Sequence, residues 1–411
     1  MKIKVTYTKF NTTVPRNVAK VYKVIPFGIP SGVPADIFEA KGDLIAGSGA
    51  GTYDNLPVGS AGQYLTPDPS AGLGLKWEIP SVAITDSTNF LINGGFDFAQ
   101  RQAPGTLTTI AIDKYGPDRW RTTRENADLQ YQRNDATSES GLTSMYYGRF
   151  KKITNAGKLM VLQIIEGVNT IPLRGKAVSF QIKMKASSSK TIRMAVIELQ
   201  NAGAIDTIPA SIVTAWNVDS TDPTLGSNLA VVTAAQSKSV TTSWQNFSVS
   251  VTVPSNSKNI ICAIWSDADF SANDTLDLAE AGLYQGSTTL AWLPRHKNHE
   301  KALCERRYRK SYPLDTAPGT SGTNGYVNMY AASTSTLRGY VPLGMAGIPT
   351  ITIYPSNGTS GKASTTALAD IGTSVTAVVT TEAAIPALSD SGSGFTANTW
   401  YLFHYTAEIE L

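Results

Sequence analysis

The chain has 411 residues, of which 42% are hydrophobic and 16% charged, with 34 Gly, 21 Pro and a formal net charge of +3. That length gives room for two or three domains with cores of their own, and the apolar fraction and small net charge exclude a disordered chain. The charge-rich composition of long helices and coiled coils is missing.

Residues 1–40 begin Met-Lys-Ile-Lys-Val-Thr-Tyr and contain no apolar stretch of the signal-peptide kind. Nowhere does the chain approach the roughly 18 consecutive apolar residues of a membrane span, so membrane insertion is not expected. Residues 41–78 differ in kind: eight glycines are interspersed with Leu44, Ile45, Leu56, Val58, Leu65, Leu73 and Leu75. Such a stretch cannot bury a core alone, and its apolar residues are most simply covered by the same residues of neighbouring copies about a symmetry axis. Within it, Gly47-Ser-Gly-Ala-Gly-Thr52 has Thr where a dinucleotide fingerprint needs its third Gly.

From about residue 89 the period is two. Val178, Phe180, Ile182 and Met184 alternate with polar residues, as do Phe247, Val249, Val251 and Val253. Turn clusters such as Ser220-Thr-Asp-Pro223 separate the runs, and no long helical period intervenes, so the expected fold is all-β, an antiparallel β-sandwich of the jelly-roll kind at 89–294. Cys262 and Cys304 are too few for a disulfide framework and read as buried free thiols.

One helix is expected at 298–310, capped by Asn298 and stopped by Pro313, within a connecting segment at 295–312. Arg295 to Lys310 holds seven Lys or Arg against two Glu. A basic face of domain scale with interleaved aromatics is absent, so nucleic acid is not an expected partner. The final segment, 313–411, is Gly-, Ser- and Thr-rich with β-prone pieces at 325–330, 350–354 and 400–405, and reads as a smaller C-terminal β domain. Its close alternates Tyr401, Phe403, Tyr405, Ala407, Ile409 and Leu411 with Leu402, His404, Thr406, Glu408 and Glu410.

Candidates for chemistry are few. His296, Glu300 and Cys304 share one helical face, but no second ligand pair follows at zinc-site spacing. Asp267, Asp269, Asp274 and Asp277 cluster near Trp265. Asp267, Asp269 and Ser271 have calcium-loop spacing, yet Ala272 and Leu278 stand where that loop needs Gly and Glu, so an Asp/Ser turn is preferred to a structural calcium, and no other cofactor is expected. The same carboxylates could supply a glycosidase pair, although no third feature marks catalysis. With three histidines in the chain, a catalytic triad is poorly served, and His404 reads as a strand residue.

A sugar site needs a flat aromatic wall beside carboxylate, amide or Arg groups on a loop or strand end. Trp216 with Asp219, and Trp265 with Asp267 and Asp269, supply that combination in loop-like contexts; Tyr326, Tyr330 and Tyr354 offer a second site in the C-terminal domain. Trp120 and Trp244 read as core residues instead.

Lys41-Gly-Asp-Leu-Ile-Ala-Gly through Leu56-Pro-Val-Gly-Ser-Ala-Gly-Gln-Tyr-Leu65 to Gly74-Leu-Lys-Trp77 resembles a stretch that recurs in bacteriophage tail fibres and virion appendages. Leu91-Ile-Asn-Gly-Gly-Phe-Asp-Phe-Ala-Gln-Arg-Gln102, Asp118-Arg-Trp120 and Leu276-Asp-Leu-Ala-Glu-Ala-Gly-Leu283 resemble a carbohydrate-binding-module-like jelly roll of the same proteins, as does Glu300–Tyr308 its close and Tyr405–Leu411 a terminal strand. The resemblance covers about 41–310 plus the final strand. It implies a homotrimeric virion fibre or spike: a particle-attachment segment at 1–40 docking on tail or capsid proteins, a trimeric shaft at 41–88, and distal β domains that bind host cell-surface polysaccharide. The expected protein is not an enzyme; a polysaccharide-degrading spike is the alternative, followed by a purely structural decoration or adaptor protein.

Overall fold

The computed structural model describes residues 35–78 and 88–411, apart from positions 127 and 373. Most of the expected attachment segment, residues 1–34, lies outside the described residues. The chain divides into two compact units, one ending at Val82 and the other running from Ala83 to Leu411.

In the first unit the glycine-rich segment forms two hairpins. Strands β1 (Leu44–Gly49) and β2 (Thr52–Leu56) pair antiparallel, as do β3 (Tyr64–Pro67) and β4 (Leu75–Glu78). Asp43 organises the first: its carboxylate accepts from the backbone N–H groups of Glu39, Ala40 and Val58 at 2.8–2.9 Å, which holds its pKa below the usual range. Gly59 is required where it is, because a Cβ there would lie 2.6 Å from the Trp77 ring. Leu44, Ile45, Val58, Tyr64 and Leu65 remain exposed within this unit.

The second unit contains the sandwich. Its strands are β5 (Thr108–Ile110), β6 (Lys114–Tyr115), β7 (Arg121–Arg124), β8 (Leu129–Asp135), β9 (Tyr146–Lys152), β10 (Leu159–Ile165), β11 (Ala177–Ala186) and β12 (Lys190–Leu199). After the small hairpin β13 (Val213–Ala215) and β14 (Thr224–Leu225) follow β15 (Leu229–Val231), β16 (Gln236–Val240), β17 (Gln245–Thr252), β18 (Asn259–Ser266) and β19 (Thr275–Gln285). One sheet has the order β17-β11-β19-β9-β8-β5; the other runs β15-β12-β18-β10-β7-β6, with β16 also on β12. The alternation read at 178–184 holds, since Val178, Phe180, Ile182 and Met184 all enter the core between the sheets with Trp120, Phe150 and Cys262.

The second sheet departs from simple alternation. Strands β10, β12 and β18 are buried on both faces: Val161, Val196 and Ile264 point into the sandwich, while Leu162, Ile197 and Trp265 point outward into a second cluster. Ile208, Ile212, Val213, Trp216 and Leu225, from the excursion between β12 and β15, cover that outer face. Two-sided burial explains their nearly continuous apolar sequences. It also corrects the loop reading of Trp265, which stands in β18 and is 1% exposed.

Besides the one-turn α1 (Gly167–Thr170), a helix α2 (Lys297–Glu305) connects the sandwich to the last sheet. It is shorter than expected: His296 is the N-cap, without a side-chain capping bond, and Tyr308–Lys310 forms strand β20. Tertiary pairing overrides helix propensity there, because Tyr308, Arg309 and Lys310 pair with Glu408, Ala407 and Thr406. The basic residues are used internally. Glu166 of the sandwich receives Arg306 at 3.2 Å and Arg307 at 3.1 Å, and Lys310 donates to the carbonyls of Gln100, Leu314 and Thr316. Burial lowers the Lys310 pKa to about 8. Beside them the buried Arg119 meets Glu410 at 2.6 Å, and Arg101 meets Glu408 at 3.1 Å and Glu410 at 3.3 Å.

The final sheet comprises β20 with β21 (Val327–Ala331), β22 (Thr336–Pro342), β23 (Thr350–Tyr354), β24 (Ala363–Thr365), β25 (Asp370–Ile371), β26 (Val375–Val378), β27 (Ala384–Asp390) and β28 (Trp400–Glu408). Its hub is β28, which pairs with β20, β21, β23 and β24. Tyr401, Phe403, Tyr405 and Ala407 face a core with Met329, Leu337, Ile353 and Leu388, as the alternation predicts. The protein is thus all-β, with one helix longer than a single turn among the described residues. No described helix is long and apolar enough to cross a membrane.

Candidate functional site

Because β28 sends its odd-numbered side chains inward, Trp400, Leu402 and His404 share the opposite face. Register extends that face sideways: Trp400 lies opposite Tyr330 on β21, Leu402 opposite Asn328, and His404 opposite Tyr354 on β23. At one end Trp400 is 52% exposed and meets Tyr330 edge-on at 5.4 Å, while the Tyr330 hydroxyl donates to Asn398 Oδ1 at 2.9 Å. Arg338 stands opposite Tyr330 on β22, and Tyr340 of that strand is exposed. Four residues along β28, about 13 Å at strand rise, the face becomes enclosed.

There β20 leaves β28 and β21 has yet to begin, and the intervening segment 311–326 folds back over His404. Tyr312 stacks on the imidazole at 3.8 Å, Tyr326 packs against it at 4.4 Å, and Tyr354 meets Tyr312 edge-on at 6.0 Å. A cavity of about 220 Å³ opens beside them, lined by Tyr312, Pro313, Thr316, Thr320, Ser321, Gly322, Thr323, Asn324 and His404. Gly, Ser and Thr keep this loop small in side-chain bulk while supplying hydroxyls.

The His404 ring is 1% exposed, and desolvation lowers its pKa to about 4, so it is neutral at physiological pH. Its Nδ1 is 2.9 Å from Ser311 Oγ, and that oxygen already accepts from the Tyr405 N–H at 3.0 Å. With the serine hydroxyl assigned as donor to Nδ1, the ring proton sits on Nε2. Nε2 closes no hydrogen bond of good geometry, although the Gly322 backbone approaches the ring closely enough to raise its pKa against the larger effect of burial. The Tyr326 hydroxyl is likewise buried without a partner.

Of the residues singled out in the sequence, the structure brings Tyr326 and Tyr354 together around His404, and places Tyr330 farther along the same face. Trp216 is half-buried against the outer cluster that contains Trp265. Asp219 is exposed and 3.0 Å from Lys158; Asp267 accepts from the Ser220 N–H at 2.9 Å and faces Arg193 at 3.5 Å. Asp269 is exposed. Asp274 binds Lys190, and Asp277 receives Arg149 through two bonds of 2.8 Å. The four carboxylates thus diverge, and no group of three or more potential ligands converges on a metal position among the described residues. Trp120 is fully buried, but Trp244, read as core, is half-buried outside the first sheet, edge-on to Tyr147 at 5.4 Å with Lys185 over its ring.

Tyr312, His404 and Trp400 were not singled out as site residues. A signal existed in the closing alternation, which sets Trp400 and His404 on one face, and in the hydroxyl- and glycine-rich run between Tyr312 and Tyr326.

No protein-family model matches the chain, and no curated protein matches it. Among solved structures it is similar to the enzymatically active domain of bacteriophage CBA120 tailspike protein 4, at 10% identity and TM-score 0.30 over 48% of this chain. That match spans 21% of the tailspike chain. It is similar to TmCBM61 in complex with β-1,4-galactotriose, at 12% identity and TM-score 0.28 over 48% of this chain and 99% of that one. A CBM4 structure matches at 16% identity and TM-score 0.26 over 47% and 98%.

Proposed function

We propose that the protein is a non-enzymatic bacteriophage fibre or spike subunit that sits on the virion surface and binds host cell-surface polysaccharide along the outward face of β28. The observation that carries the binding reading is the placement of a half-exposed Trp400–Tyr330 pair in line with the His404–tyrosine cluster on one strand face. Aromatic faces stack on the C–H faces of sugars, and Asn398 and Arg338 beside them supply polar contacts. The virion setting rests on the appendage-like motif at 41–77, and a trimer on the exposed apolar residues of the first unit.

The test is adsorption of purified protein to host cells and to isolated capsule or lipopolysaccharide, with Trp400→Ala and Tyr330→Ala. Each variant should melt normally and lose binding at least 10-fold. Unchanged binding by both, or release of oligosaccharides from the polysaccharide by the wild-type chain, refutes the reading.

A further inference from the structure

We infer that the cavity beneath the 311–326 loop is a subsite for one uncharged pyranose ring, in which the Nε2–H of His404 donates to a ring or hydroxyl oxygen of the sugar. The inference rests on the glycan reading of the β28 face and adds to it a position, a size and a charge selectivity.

Three observations carry it. The imidazole is almost wholly buried, and with Nδ1 bonded to Ser311 its Nε2 closes no hydrogen bond of good geometry, the Gly322 backbone being near but poorly placed. A ligand oxygen that takes this proton completes a bond that the free protein makes at best poorly, which favours occupancy of the cavity. The lining then names the ligand class: Thr316, Thr320, Ser321 and Thr323 bring hydroxyls, Asn324 an amide and Tyr312 an aromatic ring, and no Lys, Arg, Asp or Glu is among the lining residues. Hydroxyls, which both donate and accept, suit a neutral polyhydroxy ring and leave a carboxylate or ammonium uncompensated. Finally, about 220 Å³ is below the 300–1,000 Å³ typical of drug-sized ligand pockets, which fits one ring and not a chain segment. Since the cavity lies on the face that carries Trp400 and Tyr330, it takes the residue at the end of a chain or branch, while the exposed pair takes those before it.

The test uses the full chain with its histidines ¹⁵N-labelled. Glucose, galactose, mannose and N-acetylglucosamine are titrated to 50 mM, with N-acetylneuraminic acid as the charged comparator, and the His404 Nε2–H resonance is followed. The expected result is a saturable shift with at least one neutral sugar and at least 10-fold weaker binding of the acid. Asn324→Ala, in the exposed part of the loop, should weaken the neutral sugar at least 5-fold. His404→Phe should abolish its binding and His404→Gln, which restores an N–H donor, should recover part of it. Trp400→Ala should weaken polysaccharide binding at least 10-fold. If no neutral sugar shifts the resonance while adsorption still depends on Trp400, the subsite inference fails and the β28 reading stands. Loss of both brings down the two together. Should His404→Phe fail to fold, the resonance shift and Asn324→Ala decide alone: a shift whose titration is weakened at least 5-fold by Asn324→Ala supports the subsite, and one weakened less overturns it.

Discussion

Glu410→Gln removes one charge from the buried network that joins the closing segment to the sandwich. Its carboxylate faces Arg119 at 2.6 Å and Arg101 at 3.3 Å, and the Glu410 and Arg119 side chains are 3% and 2% exposed. Removing one member of a buried pair typically costs about 3–5 kcal/mol, because the partner charge stays desolvated. Here both guanidiniums keep another carboxylate, Glu166 at 3.7 Å from Arg119, and Glu408 at 3.1 Å and Asp118 at 3.6 Å from Arg101. The loss should therefore sit at the low end, about 3 kcal/mol, and being buried it should persist in molar salt. The double substitution Arg119→Met with Glu410→Leu removes both charges and fills their space, so it should be less destabilising than Glu410→Gln alone. Urea unfolding with unchanged m-value is the assay. A Glu410→Gln protein within about 0.5 kcal/mol of wild type, or a double variant as unstable as the two single losses added, would refute the argument.

Three other outcomes are expected. Trp265→Ala should cost about 3–5 kcal/mol and Trp216→Ala roughly half as much, both read by thermal melting; equal and negligible losses would mean the outer cluster does not pack as described. Light scattering of the full chain at micromolar concentration should give a trimer, and a monodisperse monomer would show that the exposed residues of the first unit stay uncovered. Because the folded pKa of His404, about 4, lies below its unfolded value of 6.5, the unfolded chain takes up the proton first, so stability present above pH 6.5 is lost as pH falls toward 4. The loss approaches about 3 kcal/mol, and His404→Phe should flatten that part of a melting-against-pH profile.

Much of the fold was legible because one wet face leaves a period of two. Residues 178–184 and 401–407 place their apolar members in the core as read. Where a strand is covered on both sides that signal disappears, and the run at 259–266 then gives no hint that the strand carries on through Trp265 and ends only just before Asp267. Local propensity also misled at 308–310, where the expected end of the helix is drawn into a strand by a partner about a hundred residues away. Tyr326 and Tyr354 could be picked as aromatic residues of β-prone segments, but their common neighbour could not. His404 gains its environment only when Tyr312 folds onto it, a contact between residues 92 positions apart that no local pattern records.

The position of β28 bears on how the protein is made. It is the last strand along the chain, yet β20, β21, β23 and β24 all take hydrogen bonds from it, and Glu408 and Glu410 lie at and just beyond its end. During synthesis those earlier strands emerge with their common partner still untranslated, and contacts of such long sequence separation form slowly. A chain halted before residue 400 would lack the Trp400 face, the His404 cavity and the ionic seam in one stroke. Formation of the whole sheet, and of the face and cavity that it carries, is thereby coupled to the synthesis of a single strand.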